Sequence, residues 1–314
     1  MLESNADIIG LQEVSSISKD YYIFRRKLAD WFDTLEGENG LTAAGYTCVK
    51  GKNLYTGDDY SYDLTLNKDK TMFNPIYFKT EKYNLIANDT IWFTDKDSRY
   101  EASRIDGADT WKGLNYVVLE DKETGVQFMY VNLHLIVRGK ETKNDDGTVE
   151  KKGNWLKDAD GNYTDHHVQE LQVIYLREIL DDLQKQYDIP MFIGGDFNNS
   201  ASKINTWFTK STVNSDGSIN AGGKPTESVS VVRSNPYATN IITSCSSTTE
   251  DFANLGDYNV TGDKWGAIDL WFVSNFEGVM HCYIVDDNKV ASTGKYPSDH
   301  LPTKFVVTIY SETN

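Results

Sequence analysis

Five short motifs, spread over nearly the whole chain, join an aliphatic or β-branched run to acidic, amide or imidazole side chains. Runs of this length, bounded by turn residues, are typical of buried β-strands. Because strand ends meet at the edge of a sheet, we expect these polar groups to gather in one site at one edge of a sheet core. The motifs are GLQEV at 10–14, VNLHL at 131–135, GGDFN at 194–198, AIDLW at 267–271 and SDHLP at 298–302.

The length and composition favour one large domain. No Pro-, Gly- or Ser-rich linker divides the 314 residues, so we predict a single domain over 1–314 with a polar insertion at 138–165. No apolar stretch reaches the roughly 18–20 residues that cross a bilayer, which predicts a soluble protein. A composition rich in Tyr, Asn, Asp and Thr favours a secreted or extracytoplasmic bacterial protein.

The charge balance argues against tight, non-specific binding of duplex nucleic acid. The net charge is −16, whereas binding to a duplex rests largely on Lys and Arg that neutralise phosphates. The three cysteines, Cys48, Cys245 and Cys282, lie far apart and lack metal-ligand spacing. We therefore expect buried or isolated thiols and at most one disulfide.

Hydrophobic periodicity predicts two helices among many strands. Residues 18–36 and 166–187 carry apolar side chains at helical spacing, and Asp165 is a suitable N-cap for the second helix. Paired strands under two covering helices predict two mainly antiparallel sheets packed face to face and flanked by helices, a four-layer α/β sandwich. The predicted strands lie at 6–11, 46–50, 74–79, 83–86, 90–94, 115–120, 126–135, 191–194, 228–233, 267–274, 279–285 and 303–310.

Two of the motifs place pairs of polar side chains on one face of a strand. Asn132 and His134 alternate along one strand, and Asp196 and Asn198 alternate at the end of another. Polar groups in strands that are otherwise apolar are costly unless they serve a site or pair with each other. A carboxylate beside an amide suits an attacking water and a phosphoryl oxygen.

The remaining motifs contribute carboxylates and an imidazole. Glu13 ends the first strand, where a carboxylate suits a hard cation such as Mg²⁺. Asp269 lies in an apolar strand and needs a partner; His300, next to Asp299, is the candidate, because a carboxylate fixes the tautomer of an imidazole. Hard oxygen donors with an Asp–His pair, and without a Cys or Ser beside a base, favour metal-assisted hydrolysis of a phosphoester.

In this order, the segments LQEV, NLHL, GGDFNNS, AIDLWFVS and SDHLP resemble the endonuclease/exonuclease/phosphatase superfamily, which has the deoxyribonuclease I-like fold. The resemblance covers about residues 6–309 and rests on the order of all five motifs. It implies a β-sandwich, flanked by helices, that cleaves phosphoester bonds with Mg²⁺ or Mn²⁺. It also implies that Glu13 is the main metal ligand and that Asp299 lies near the metal.

The resemblance further implies roles for the catalytic residues. Asp196 and Asn198 would position the nucleophilic water and the phosphate oxygens. Asp269 would orient His300, and His134 would act as an acid or contact the phosphate. Which histidine is the acid and which is the base stays open.

The chain departs from the family pattern in two places. The family normally opens with a strand that carries an Asn supporting the metal site, and this chain begins just before LQEV, so we expect weaker metal binding. Where many members carry an Arg that contacts phosphate, the nearest basic residue here is Lys112, which supplies charge without the bidentate fork. Lys112 and Asn132 are the predicted substrate-binding residues.

The substrate and the strength of catalysis stay open at this stage. Nucleic acid, a phospholipid head group and a sugar or inositol phosphate all fit, with the protein as a monomer that needs no protein partner. The alternative is a weakly active or inactive binding module that keeps the fold. No exposed aromatic hairpin stands out as a membrane anchor, though the insertion with Trp155 could approach a surface. The turn that begins at Asp158 is expected to be a solvated hairpin rather than a calcium loop.

Overall fold

The computed structural model describes residues 5–12, 14–15, 40–52, 72–93, 112–213, 219–221, 243–244, 269–274, 278–284 and 303–309. Helices and strands are numbered along this part of the chain. The strands and helices are β1 (Ile8–Gly10), β2 (Val14–Ser15), β3 (Tyr46–Val49), β4 (Met72–Phe73), β5 (Ile76–Lys79), β6 (Tyr83–Trp92), β7 (Gly113–Asp121), β8 (Gln127–His134), β9 (Lys140–Lys143), β10 (Val149–Lys152), β11 (Trp155–Lys157), β12 (Tyr163–His167), α1 (Val168–Tyr187), β13 (Met191–Asp196), α2 (Ala201–Lys210), β14 (Ser211–Val213), β15 (Ile219–Ala221), β16 (Thr243–Ser244), β17 (Asp269–Ser274), β18 (Gly278–Ile284) and β19 (Thr303–Ile309).

Two sheets pack face to face, as the sequence predicts. The larger sheet has six strands in the order β16-β17-β13-β8-β7-β6, and the smaller one has the order β1-β5-β3. Pairing within both is antiparallel except between β8 and β13. The core between them contains Ile76 and Phe78 from the smaller sheet and Val117, Tyr130 and Phe192 from the larger one. Each of these buried side chains contributes about 1.5–3 kcal/mol by leaving water.

Helices α1 and α2 cover the other face of the six-stranded sheet. Val131 and Leu133 on β8 point to this side and join a second core with Ile179 of α1 and Phe208 of α2. Because side chains alternate along a strand, the positions between them, including Asn132, face the smaller sheet. The predicted helix at 18–36 lies outside the described residues. Within the described part of the chain, no helix is long and apolar enough to cross a membrane.

The start of α1 differs from the prediction. The helix begins at Val168, its N-cap is His167, and the cap makes no side-chain hydrogen bond. The prediction that Asp165 caps this helix was therefore wrong. Asp165 instead accepts a hydrogen bond from Lys151 Nζ at 2.6 Å, because the preceding strand β12 carries it away from the helix and towards the neighbouring hairpin.

Other boundaries were shifted, and one element was missed. The predicted strands at 83–86 and 90–94 form the single strand β6, with an irregular register between Leu85 and Ala87. Helix α2 was not predicted, although Ile204, Trp207 and Phe208 follow Ser200 at helical spacing and all three are buried. The predicted strand at 228–233 lies outside the described residues.

The insertion at 138–165 forms two hairpins, β9–β10 and β11–β12. Asp158 Oδ1 accepts hydrogen bonds from the backbone of Asp160 and Asn162, so its carboxylate closes the second turn, as expected for a solvated hairpin. Trp155 is only 6% exposed. Its indole packs on His167 and does not project to solvent, and the approach of the insertion to a surface stays a prediction.

Candidate active site

Three neighbouring strands of the larger sheet place ionisable side chains at the same end of the sheet. The parallel register of β8 and β13 places His134 opposite Asp196. The antiparallel register of β13 and β17 places Asp196 opposite Asp269, the first residue of β17. On the other side of β8, Gly113 is opposite His134, so Lys112 lies at the same end of the sheet. Residues separated by more than a hundred positions in sequence thus meet at one sheet edge.

The polar groups at this edge contact each other directly. His134 Nε2 lies 3.3 Å from Asp196 Oδ2. Lys112 Nζ lies 3.1 Å from Nδ1 and 2.5 Å from Nε2 of the same ring. An ammonium group can only donate, so a ring nitrogen of His134 accepts from Lys112, and Nε2 lies within reach of both Lys112 and Asp196.

These side chains are buried, which makes their mutual pairing important. Exposure is 2% for His134, 5% for Lys112, 6% for Asp196 and 8% for Asp269. Burying charge without a partner is strongly unfavourable, so a cluster of this kind is stable only with opposite charges and hydrogen bonds inside it. A buried cluster of a Lys, a His and two carboxylates at a sheet end is typical of functional sites, whereas a hydrophobic core contains few ionisable groups.

A glycine near the end of β13 and two hydrogen bonds of Asn198 shape the chain where it leaves this strand. Gly195 has φ +147°, and a Cβ there would collide with the carbonyl oxygen of Leu133; only glycine allows this close approach of the two strands. The backbone N–H of Asn198 donates to Asp196 Oδ1 at 2.7 Å. Asn198 Nδ2 donates to the carbonyl of Leu135 at 2.8 Å, which ties this turn to the segment that follows His134.

Asn132 joins the two sheets beside the site. Its Nδ2 is within hydrogen-bond distance of the carbonyl oxygens of Leu11, Asn74 and Pro75, and its Oδ1 accepts from Gln12 Nε2 at 2.5 Å. The side chain is completely buried. The predicted contact of Asn132 with substrate stays a prediction. In this structure its carboxamide anchors residues 11–12, the two that directly precede Glu13 in the chain.

Gln169 on α1 holds the backbone around the candidate site, and the sequence did not indicate this role. Gln169 Nε2 donates to the carbonyl oxygens of Ile136 and Phe197 at 2.6 and 2.8 Å. Gln169 Oε1 accepts from Asn199 Nδ2 at 2.7 Å. In the sequence, Gln169 is only a polar residue between the apolar helix positions Val168 and Leu171. The structure shows that it is fully buried, and a buried amide requires partners.

Glu13, Asp299 and His300, which are part of the predicted site, lie outside the described residues. The described residues contain no group of three or more His, Cys, Asp or Glu that could hold a metal ion. Asp196 and Asp269 nevertheless supply hard oxygen donors at register-matched positions, and carboxylate oxygens are the ligands that Mg²⁺ and Mn²⁺ prefer. The donor chemistry of the described part of the site therefore fits such a cation.

The two packed sheets, with helices on the outer face of the larger one, have the deoxyribonuclease I-like fold, which three similar solved structures show. A mannosyl-6-phosphatase from Bacteroides thetaiotaomicron is similar with a TM-score of 0.53 at 15% identity, over 98% of this chain and 87% of that one. An endonuclease/exonuclease/phosphatase from Bacteroides vulgatus is similar with a TM-score of 0.54 at 16% identity, over 98% and 87% of the two chains.

A third similar structure is an endonuclease/exonuclease/phosphatase family protein from Bacteroides thetaiotaomicron, with a TM-score of 0.50 at 14% identity over 97% of this chain and 84% of that one. These likenesses confirm the predicted fold. No family model matches the sequence, and no curated protein matches it.

Proposed function

We propose that this protein is a Mg²⁺- or Mn²⁺-dependent phosphoester hydrolase that uses an activated water rather than a covalent nucleophile. The observation that carries the proposal is the register of β8, β13 and β17, which aligns His134, Asp196 and Asp269 at one end of the sheet. The fold supports it, since structures with this fold include the mannosyl-6-phosphatase named above.

The proposed roles follow from the chemistry of each group. Asp196 orients the attacking water, because a carboxylate held at the sheet end by Asn198 and His134 can accept a hydrogen bond from that water. Lys112 supplies positive charge for a phosphate oxygen, because a charged donor fixed in a buried site stabilises developing negative charge. His134 acts as an acid or contacts the phosphate, and Asn198 contacts a phosphate oxygen.

The residues outside the described part of the chain complete the proposal. Glu13 is the proposed main metal ligand, with Asp299 beside it. His300 is the proposed second imidazole, oriented by Asp269. When bound, Mg²⁺ or Mn²⁺ would neutralise charge on the phosphate. The hydrogen bond between Asn132 and Gln12 supports the proposal that Glu13 reaches this sheet end, since Gln12 is its neighbour in sequence.

We expect hydrolysis of bis(p-nitrophenyl) phosphate or p-nitrophenyl phosphate that depends on the cation. The full chain should be inactive after EDTA has removed the metal. Addition of Mn²⁺ or Mg²⁺ should raise the hydrolysis rate at least about 10²-fold above the rate in EDTA, because the cation neutralises phosphate charge. The measurement is release of p-nitrophenol, followed by a panel of DNA, RNA, sphingomyelin and sugar or inositol phosphates. A rate that EDTA leaves unchanged, or no turnover of any phosphoester with either metal, would contradict the proposal.

A further inference from the structure

Two glutamines on one face of α1 lie against the backbone of the candidate active site. Gln169 and Gln172 are both completely buried, and residues three apart on a helix are neighbours on its surface. Burial of a carboxamide is unfavourable unless hydrogen bonds replace those that it makes with water. The bonds of these two side chains therefore show what they contribute. We call Gln169 and Gln172 the glutamine pair.

The glutamine pair binds both backbone polar groups of Ile136. Gln172 Oε1 accepts a hydrogen bond from the N–H of Ile136 at 2.8 Å. Gln169 Nε2 donates to the carbonyl oxygen of the same residue at 2.6 Å. Ile136 lies two residues beyond His134, the last residue of β8. Helix α1 thus fixes the chain just after the strand that carries the candidate catalytic histidine.

The carboxamide of Gln169 also holds the turn after β13. Its Nε2 donates to the carbonyl oxygen of Phe197 at 2.8 Å, and its Oε1 accepts from Asn199 Nδ2 at 2.7 Å. Phe197 is the residue between Asp196 and Asn198. Since one nitrogen of Gln169 bonds to the carbonyl oxygens of both segments, the two segments are held at a fixed spacing from each other.

The turn after β13 depends on support of this kind. Asn198 has φ +51°, in the left-handed region, and a residue in this conformation persists only where surrounding contacts hold it. Strand β13 ends at Asp196, so the strand pairing does not extend to Asn198. Displacement of a reacting group by about 1 Å can lower a rate by about 10²-fold. Loss of the support from α1 should therefore affect the chemical step.

We propose that the glutamine pair positions the reacting groups of the candidate active site: Gln169 and Gln172 hold Asp196 and Asn198 in place beside His134, through the backbone that follows each strand. The proposal rests on the proposed hydrolytic function and deepens it. Both side chains are completely buried and bond to backbone segments, so they are positioning residues and not catalytic ones.

Gln169→Met is the main test. Methionine has a similar length and only a weak acceptor, so the substitution removes the hydrogen bonds of Gln169 and still fills the space. We expect kcat for bis(p-nitrophenyl) phosphate with Mn²⁺ to fall at least about 10-fold while KM changes less than about 3-fold. Misplaced reacting groups slow the chemical step more than they weaken substrate binding.

A double variant separates positioning from a general structural defect. In the Asp196→Asn background, Gln169→Met should lower kcat by a further factor below about 3, since the effects of residues that act through one group are not additive. A defect that acts elsewhere in the fold would lower kcat by the same factor in both backgrounds.

Gln172→Met is the milder variant, for use if Gln169→Met does not fold. It removes one hydrogen bond, and Gln172 Nε2 has no hydrogen-bond partner among the residues that the structure describes. Its kcat should fall at least about 3-fold, because Ile136 loses only one of its two bonds to α1.

Gln184→Met is the matched control on the same helix. Gln184 Nε2 donates to the carbonyl oxygen of Ile189 at 3.2 Å, and its Oε1 accepts from the Ser274 hydroxyl at 2.9 Å. It lies about 22 Å from Gln169 along the helix, at 1.5 Å per residue. The control should keep kcat within about 2-fold of wild type. Thermal unfolding shows whether each variant is folded at the assay temperature.

Amide hydrogen exchange tests the same contacts independently of activity. In EDTA, residues 134–139 should exchange at least about 10-fold faster in Gln169→Met and Gln172→Met than in wild type, because lost hydrogen bonds favour local opening. Residues 196–200 should exchange faster in Gln169→Met, and Gln184→Met should match wild type in both segments.

Unchanged exchange in the variants of the glutamine pair, wild-type kcat in both of them, or an equal loss of kcat in Gln184→Met would overturn the proposal. So would an equal effect of Gln169→Met in the wild-type and Asp196→Asn backgrounds. Faster exchange in Gln169→Met, in a protein that hydrolyses no phosphoester, would instead support the glutamine pair as the anchor of both segments and count against the hydrolytic function alone.

Discussion

Asp196→Asn should lower the metal-supported rate of bis(p-nitrophenyl) phosphate hydrolysis at least about 10²-fold, as loss of an acid–base group does. Asparagine has almost the same shape as aspartate, and its oxygen can still accept the 2.7 Å hydrogen bond from the backbone of Asn198. The substitution therefore removes negative charge beside His134 while it preserves the turn. The rate is measured at saturating metal and substrate, together with the midpoint of thermal unfolding.

Asp182→Asn is the control for this change. Asp182 lies on α1 with 44% of its side chain exposed, and its carboxylate lies 3.6 Å from Lys185 Nζ on the same helix. A surface pair of this kind contributes little to stability. The control should match wild type in rate. Equal rates for Asp196→Asn and wild type would remove Asp196 from the catalytic assignment.

Asn132→Ala should lower the free energy of unfolding by about 2–4 kcal/mol, the largest effect on stability that we predict. The substitution removes the Asn132 donor from the carbonyl oxygen of Leu11 and the acceptor of Gln12, and it leaves a cavity where the two sheets meet. The carbonyl oxygens of Asn74 and Pro75 keep their hydrogen bonds from Asn115 Nδ2 and the backbone of Leu11. An unsatisfied buried polar group costs more than the net value of a hydrogen bond. The measurement is urea denaturation of the full chain, followed by fluorescence.

Asn84→Ala gives the comparison for this prediction. Asn84 donates to Glu120 on the exposed side of the edge strand β6, so its loss should change the free energy of unfolding by no more than about 0.5 kcal/mol. A loss below about 1 kcal/mol for Asn132→Ala would show that the two sheets do not depend on this carboxamide.

The strand-end motifs were sufficient to predict two of the strands that carry residues of the candidate site. Alternation in VNLHL and the glycines before Asp196 indicated strands that end in polar groups, and the structure has both. The contact between Lys112 and His134 was not predictable in the same way. It depends on the exact register of the β7–β8 hairpin, and the contact between His134 and Asp196 depends on the parallel pairing of β8 with β13, a long-range choice that no local pattern encodes.

Local signals also failed where tertiary contacts compete with them. Asp165 has the right chemistry for a helix cap, but Lys151 on a neighbouring hairpin binds it instead. Gln169 carries no local signal of a role in the site, whereas its amide holds two backbone segments there. In both cases the partner lies in a segment that only the folded chain brings near.

The most direct test of the central claim is the position of Mn²⁺ in crystals of the full chain, located by anomalous scattering at the manganese edge. The claim predicts a peak at the end of the six-stranded sheet that carries His134, Asp196 and Asp269, and its loss in crystals grown with EDTA. A well-ordered Mn²⁺ bound only at another face of the molecule, in a protein whose hydrolysis requires that metal, would contradict it.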